Sequence, residues 1–305
     1  MTPKFTVFTP AYNRAHTLDR VYKSLVSQTY RDFEWIVIDD GSKDNTAELV
    51  ANWAKKADFS ITYKYQENSG RHIAFNRAVE IAKGELFFVI DSDDAFLPNS
   101  IEIMLKAWND IPEQFRNRFT GVVTRCQSED GVPCTPAFST NPLDTNALDL
   151  RFKHKVRGEL WGFHRTSIMR EYPFPEDTSL RYVPENLIWD DIARKYKIRC
   201  INDALRIYYH DSGNQLSKGD PKKKALHRNY SLKIINRDFD YFVFDPINFF
   251  KWAVLYARYS FHADDWGFMN AKKFSHKGAY LLCGIAILPG FLVYTFDRTR
   301  GYVGL

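Results

Sequence analysis

The chain is predicted to fold as an α/β protein with a Rossmann-like, mostly parallel sheet and flanking helices, and three observations predict it. Two apolar runs, Trp35-Ile-Val-Ile-Asp-Asp-Gly-Ser42 and Leu86-Phe-Phe-Val-Ile-Asp-Ser-Asp-Asp94, each stop at a cluster of acids. Short apolar runs that end this abruptly suit parallel strands buried on both faces. Strand and helix patterns alternate four times within the first 110 or so residues, as right-handed βαβ units require. Finally, 305 residues, 45% of them apolar and 26% charged, suffice for a full α/β core with roughly 90 residues to spare.

Residues 5–9 read as the first strand, closed by Pro10-Ala-Tyr-Asn-Arg14. Leu18, Val21, Tyr22, Leu25 and Val26 then mark one apolar helical face. Residues 35–39 form the second strand, and Asp44-Asn-Thr46 offers an N-cap to a helix through Leu49, Val50 and Trp53. Residues 61–66 alternate as a third strand, Asn68-Ser-Gly70 turns the chain, and a helix over 71–82 leads by Gly84 into a strand over 86–91. Pro98 suits the first position of a helix carrying Ile101, Met104, Leu105 and Trp108. Residues 111–180 are less regular, with a strand at 121–125. Beyond them a helix over 185–197 and a strand pair over 200–210 are predicted. The boundary is set at 217/218: a first domain, 1–217, divides near 110, and 218–305 forms a basic, aromatic, helical tail.

Charge separates these two parts. The net charge is +5, but residues 216–305 carry 14 Lys and Arg against 7 Asp and Glu, while the first 215 residues carry 28 against 30. No nucleic-acid motif accompanies the basic residues, so nucleic acid is not expected as a partner. An anionic membrane surface suits basic residues mixed with aromatics better. Residues 278–296 are 19 residues without a charge, interrupted by Pro289-Gly290 and flanked by Lys272, Lys273, Lys277, Arg298 and Arg300. That reads as a bent segment associating shallowly with membrane, with a span or packing on the body as alternatives. The four cysteines lack metal or redox spacing and are expected reduced. The opening residues carry no secretory signal pattern, which places the body at the cytoplasmic face of the cell (inner) membrane, peripheral or monotopic.

Carboxylates at strand ends line the crevice where open α/β sheets bind ligands. Asp39 can read the N–H of a uracil ring, and Asp91-Ser92-Asp93 can hold a divalent ion against a diphosphate. The bland alternatives are a simple turn at Asp39-Asp40-Gly41 and a solvated acidic loop. Three acids in four residues repel one another, and a bound cation relieves that cost.

The strand tip Thr9-Pro-Ala-Tyr-Asn-Arg14, the turn Asp39-Asp-Gly-Ser42, the segment Glu67-Asn-Ser-Gly70…Ala74-x-Asn76-x-Ala78…Lys83-Gly84 and the cluster Asp91-Ser-Asp-Asp94 together resemble glycosyltransferase family 2, over roughly residues 4 to 215. The resemblance implies a GT-A fold, with a nucleotide-binding half over about 1–110 and an acceptor half over about 111–217, and an inverting hexosyl- or N-acetylhexosaminyl-transferase using a UDP-sugar with Mn²⁺ or Mg²⁺. It places Thr9, Pro10, Ala11, Tyr12, Arg14 and Asp39 around the nucleoside, with Asp91 and Ser92 also toward the nucleotide. Arg71, directly after Gly70, either reaches the nucleotide or is a solvated helix start. It assigns Asp93 to the metal and Asp91 to the ribose or metal. His210 falls where a late histidine completes the metal shell, although a lone histidine is as readily a packed or surface residue. The family's base comes from a Glu-Asp pair with a tryptophan four residues after the Asp. In Val183-Pro-Glu-Asn-Leu-Ile-Trp189, alignment on Trp189 puts Glu185 at the base position and Pro184 where Glu is usual. A carboxylate interacting with a helix N-terminus is the alternative for Glu185, and Asp190, Asp191 and Glu176 are the fallback bases. Trp161 is either a sugar-stacking plate or a core residue, and Gly162 lets backbone approach the sugar or acceptor. Asn76 can brace the acidic loop, and Asp94 can cap a helix or orient its neighbours. With the tail, the resemblance implies a saccharide acceptor linked to polyprenyl diphosphate, as in surface polysaccharide assembly. A nucleotidyltransferase would show a Gly-rich basic loop after the first strand, which Pro10-Ala-Tyr-Asn-Arg14 is not. A catalytically inactive binding protein of this fold is the other alternative, and nucleotide release would exclude it.

Overall fold

Burial explains which strands take the centre of the sheet in the computed structural model, which describes residues 2–176, 183–209 and 228–300. All seven residues of β2 (Phe33–Asp39) are buried, as are six of seven in the preceding β1 (Phe5–Ala11), which connects to it through α1 (Leu18–Val26). After α2 (Thr46–Ala54) comes β3 (Ser60–Tyr65), whose largely uncovered residues mark it as the sheet edge. The chain returns through α3 (Arg71–Ile81) to β4 (Leu86–Val89) on the other side of β1. These four strands are parallel. Their register aligns Ala11 with Asp39 and Phe8 with Val89, so the tips that follow β1, β2 and β4 meet at one edge, where such sheets bind ligands.

The second half widens the sheet. A short β5 (Ala95–Phe96) precedes α4 (Ser100–Asn109) and α5 (Glu113–Arg116). Next are β6 (Phe119–Ser128), β7 (Leu143–Thr145), α6 (Ala147–Phe152), β8 (Leu160–Arg165), α7 (Thr166–Glu171), α8 (Asn186–Ala193) and β9 (Lys197–Tyr208). The strand order is β3-β2-β1-β4-β8-β6-β9-β5, with β7 also on β9. β8 runs antiparallel to both β4 and β6, and β5 and β7 antiparallel to β9, so the sheet is mixed but mostly parallel. Gly162 in β8 lies so close to β6 that an added Cβ would collide with the Val122 carbonyl oxygen. Its lack of a side chain therefore serves strand pairing.

Several local expectations are also corrected. The segment over 200–210 is not a strand pair, because β9 is one continuous strand with a bulge. Thr124 pairs Ile201 and Arg125 pairs Ala204, which leaves Asn202 and Asp203 looped out. Arg125 Nε donates to the Asn202 carbonyl at 2.7 Å. The helix after Pro98 starts at Ser100, with Asn99 as N-cap. At α2 the N-cap Asn45 makes no side-chain cap bond, and Asp44 Oδ1 instead accepts from the Thr46 N–H at 3.1 Å. All four cysteines are free thiols.

The chain divides into two compact units, 1–213 and 214–305; the boundary expected at 217/218 lies outside the described residues. Within the second unit, α9 (Arg228–Asp238), α10 (Pro246–His262), α11 (Lys277–Ile285) and α12 (Ile287–Thr299) enclose a core of Ile235, Ala253, Tyr256, Phe261, Ala279 and Cys283. Gly290 lets α12 cross α10 against Ala257. Asp297 is buried and accepts from Arg258 at 2.6 and 2.7 Å and from His262 at 2.8 Å. No single described helix is long and apolar enough to cross a membrane; α11 and α12 reach that length together but bend by 45° between them. Their outer faces expose Leu281, Ile285, Leu288, Leu292 and Phe296.

Candidate active site

The tip of β2 is built from neutral hydrogen bonds. Gly41, at φ +91°, reverses the chain after Asp39-Asp40 in a conformation that favours glycine. Asp39 is buried; its Oδ1 accepts from the Ser42 N–H at 2.8 Å and its Oδ2 from the Tyr63 hydroxyl at 2.7 Å. Burial, followed by the bond to Asp39, pushes the Tyr63 phenol up. Asp40 accepts from Gln66 Nε2 at 2.6 Å and from the N–H groups of Ser69 and Gly70 at 2.7 and 2.9 Å, which fixes the loop into α3. The β1–α1 loop is pinned beside it: the Asn13 N–H donates to Ser42 Oγ at 2.8 Å, and the Lys43 N–H to Asn13 Oδ1 at 2.8 Å.

Of the residues expected around the nucleoside, Pro10 and Arg14 are partly exposed and Tyr12 is 49% exposed at this edge. Ala11 is buried there. Thr9 is wholly buried beneath it, and its hydroxyl accepts from Trp35 Nε1 at 3.0 Å.

The tip of β4 is held by ions. Asp91 Oδ1 accepts from Arg71 at 2.6 Å, and Arg206 lies 3.7 Å from Oδ2. Burial works to raise the Asp91 carboxyl, but Arg71, Arg206 and Arg14 outweigh it and hold it below the usual range. The same Arg71 donates to Glu185 Oε1 at 2.6 Å. One guanidinium thus joins the acid after β4 to the carboxylate that opens α8, 114 residues further from Arg71 along the chain. Arg71 is therefore no solvated helix start, because its side chain is committed to these two carboxylates.

Asp94 caps no helix. It is buried and pairs with Arg206 at 2.7 Å. Burial pushes its carboxyl up to about 7, against the pull of Arg206 and with Asp91 and Asp93 adding to the push. Ser92 is buried, Asp93 is half-buried, and the Asp93 carbonyl accepts from Arg20 at 3.2 Å. Arg206 is the residue that sequence reasoning missed. The signal was an arginine within the apolar run Ala204-Leu-Arg-Ile-Tyr208, brought opposite Phe96 by the pairing of β5 with β9.

The second half of this unit sorts the remaining candidates. Glu185 precedes α8 with its side chain 43% exposed. Asp190 is wholly buried in a bidentate pair with Arg151 at 2.9 and 2.5 Å, so it is not free to act as a base. Glu176 accepts from Asn76 Nδ2 at 3.1 Å, and Asn76 also bonds both backbone groups of the loop at Phe174. Asn76 therefore braces that loop rather than the acidic cluster. Trp161 is resolved as core: it is 5% exposed, stacks on Phe88 at 4.9 Å and donates to the Val89 carbonyl at 2.6 Å. Trp189 stacks on His164 at 4.7 Å. His210 lies outside the described residues.

Among the described residues, no three His, Cys, Asp or Glu side chains converge as a preformed metal cage. Asp91 and Asp93 nevertheless fit the donor set of a hard cation held jointly with a diphosphate. Mg²⁺ in particular is usually bound by one or two carboxylates plus substrate phosphates rather than by an all-protein shell.

Residues 6–129 match the family model "Glycosyl transferase family 2". An uncharacterized glycosyltransferase of Nostoc is 31% identical over 70% of this chain and 67% of its own length. The GalNAc(5)-diNAcBac-PP-undecaprenol beta-1,3-glucosyltransferase of Campylobacter jejuni is 27% identical over 68% and 64%. The chain spans only 33%, 17% and 46% of three matching Rickettsia glycosyltransferases. In structure it resembles S. aureus TarS 1–349 in complex with UDP-GlcNAc, with a TM-score of 0.65 over 98% of this chain and 92% of that one at 17% identity. It also resembles a Pyrobaculum calidifontis mannosyltransferase in complex with GDP-Man and Mn²⁺, with a TM-score of 0.52 over 98% and 85% at 18% identity. At those identities the structural likeness shows the fold, an α/β GT-A arrangement. The ordered motifs, the sheet and the relatives agree, and the chain belongs to glycosyltransferase family 2.

Proposed function

We propose that this protein is an inverting glycosyltransferase that moves a sugar from a nucleotide-sugar, a UDP-sugar by preference, to a saccharide acceptor. The observation that carries this reading is the convergence of Asp91 and Glu185 on Arg71, at 2.6 Å each. It brings the diphosphate end of the crevice and a half-exposed carboxylate to one point. Asp39, Tyr12 and Arg14 line the nucleoside end. Asp93 and Asp91 would hold a divalent cation, which when bound neutralises charge on the leaving diphosphate. Glu185 takes the proton of the acceptor hydroxyl while that oxygen bonds to the anomeric carbon and the bond from that carbon to the diphosphate breaks. Arg71 then lies beside the developing diphosphate charge. The complexes with UDP-GlcNAc and with GDP-Man and Mn²⁺ support a nucleotide-sugar donor and a cation. A panel of nucleotide-sugars, assayed for nucleotide release with membrane lipid extract as acceptor, tests the reading. Release from none of them, with or without Mn²⁺, would overturn it.

The acceptor is proposed to be a saccharide on polyprenyl diphosphate, handled at the cytoplasmic membrane face. The relative that acts on a PP-undecaprenol-linked saccharide supports this. So does the apolar surface of Leu281, Ile285, Leu288, Leu292 and Phe296, flanked by exposed Lys272, Lys273, Lys277, Arg298 and Arg300. Flotation with anionic liposomes is expected for the wild type and lost in Leu281→Lys/Leu288→Lys; wild type left at the bottom of the gradient would remove this part of the proposal.

A further inference from the structure

Beside Glu185 the acceptor half is hollow. A cavity of about 340 Å³ is lined from the sheet by Phe87 of β4, Val123 of β6 and Leu160 of β8, and from the helices by Phe75 of α3, Leu150 of α6 and Ile192 of α8. Arg71, Asp91 and Glu185 line it too. Their side chains are 30%, 32% and 43% exposed, so the cavity meets solvent at the carboxylates of the candidate active site. His72 and Tyr196 also line it, and Arg206 is paired with Asp94. Thr120 Oγ1 and His164 Nδ1 bond each other at 2.9 Å, and Arg151 is bound to Asp190.

Protein interiors are close-packed, with few voids larger than a water molecule. A dry aliphatic cavity of about 150 Å³ already takes a benzene-sized guest. This one has more than twice that volume, and its walls give water few of the two to four partners it needs. The fitting occupant is therefore apolar. The apolar interior does not suit the donor sugar, whose ring of hydroxyls would be stripped of hydrogen bonds there; that sugar belongs at the mouth, with Arg71, Asp91 and Glu185. The acceptor does, because its reacting hydroxyl must sit at Glu185, at the cavity mouth.

We propose that the cavity takes an alkyl or acyl chain carried by the acceptor close to the hydroxyl that is glycosylated. The inference rests on Glu185 as the base and deepens that reading by naming the acceptor's chemistry. The test is calorimetric titration of the full-length protein with n-butyl to n-octyl β-D-glucopyranosides below their micelle concentrations, with UDP titrated in parallel. Affinity is expected to rise by up to about fourfold per added methylene. The rise should flatten in Val123→Phe and in Ala193→Leu, which fill the cavity without touching Asp39, Asp91, Asp93 or Glu185; UDP affinity and melting temperature should be retained. Two variants are used so that misfolding of one leaves the other decisive. A chain-length dependence that persists in the filled variants would place the chain elsewhere on the protein and overturn the inference, as would no dependence in wild type. Loss of UDP binding in wild type would instead count against the proposed function, while the chain-length slope would still judge the cavity.

Discussion

At the tip of β2, Asp39 and Asp40 are held by amides, an amide side chain and a phenol, whereas at the tip of β4 the guanidinium groups of Arg71 and Arg206 hold Asp91 and Asp94. The same residue type at equivalent ends of neighbouring strands is thus satisfied in opposite ways. A web of neutral donors, most of them backbone, works in one geometry only, which suits a wall that recognises a base. Ion pairs can be exchanged: a diphosphate and a cation bring charges that can take over the partners of Arg71 and Asp91. Among carboxylates that meet an arginine here, Asp94 is the exception, because burial leaves it no substrate to exchange with.

The largest effect is expected at the exchangeable end. Glu185→Gln keeps the shape and the contact with Arg71 but cannot take a proton. Transfer should fall by about 10²–10⁴-fold, the usual worth of a general base, with donor affinity kept. Steady-state turnover together with donor titration checks this; turnover near wild type would move the base to Asp191 or Glu176.

Stability should separate the two tips next. Arg206→Met leaves the buried Asp94 without its partner and, measured above pH 7 where that carboxyl is ionised in the wild type, should cost up to about 3–5 kcal/mol, the penalty for breaking a buried pair. Tyr63→Phe removes one bond to Asp39 and should cost about 1.5–3 kcal/mol, the worth of a hydrogen bond to a charged group. Urea unfolding of both variants measures the difference, and the reverse order would break the comparison.

A smaller effect concerns pH. Burial holds the His164 imidazole down at about 4, below the ordinary 6.5 of an unfolded histidine. Between those values the unfolded chain binds more protons than the folded one. Stability is therefore full above pH 6.5 and falls as pH drops toward 4, by at most about 3 kcal/mol. His164→Phe should flatten that part of the stability–pH curve, and an unchanged slope would assign the acid sensitivity to other groups.

The smallest pair of effects returns to the tips. Asp93→Ala should make UDP affinity equal with Mn²⁺ and with EDTA. Asp39→Ala should weaken UDP about tenfold, the loss of one charged hydrogen bond, and leave the cation dependence intact. Calorimetry reads both, and equal wild-type affinity with and without cation would remove the distinction between the two tips.

Much of the first half is legible in the amino-acid sequence, because its signals are local. β1, β2 and β4 are rich in apolar residues since both of their faces are covered, and polar turn residues stop them. The start of α3 at Arg71, directly after Gly70, is legible for the same reason. β9 is not: Asn202-Asp203 is a turn signal in isolation, and only pairing with β6 makes it a bulge whose carbonyls Thr124 and Arg125 bind. Trp161 and Gly162 are ambiguous in sequence because their roles depend on strands β4 and β6, far away in the chain.

Alternating elements, acid clusters at strand ends and motif order are enough to establish an α/β chain of the glycosyltransferase family 2 pattern, since each depends on neighbours within a few residues. Which acid meets which base is settled by contact across the fold. Arg71 reaches Glu185, Arg206 neutralises Asp94, and Arg151 removes Asp190 from service, through pairs 39 to 114 residues apart. Electrostatic attraction and burial act over distance in space, and separation along the chain does not encode that distance.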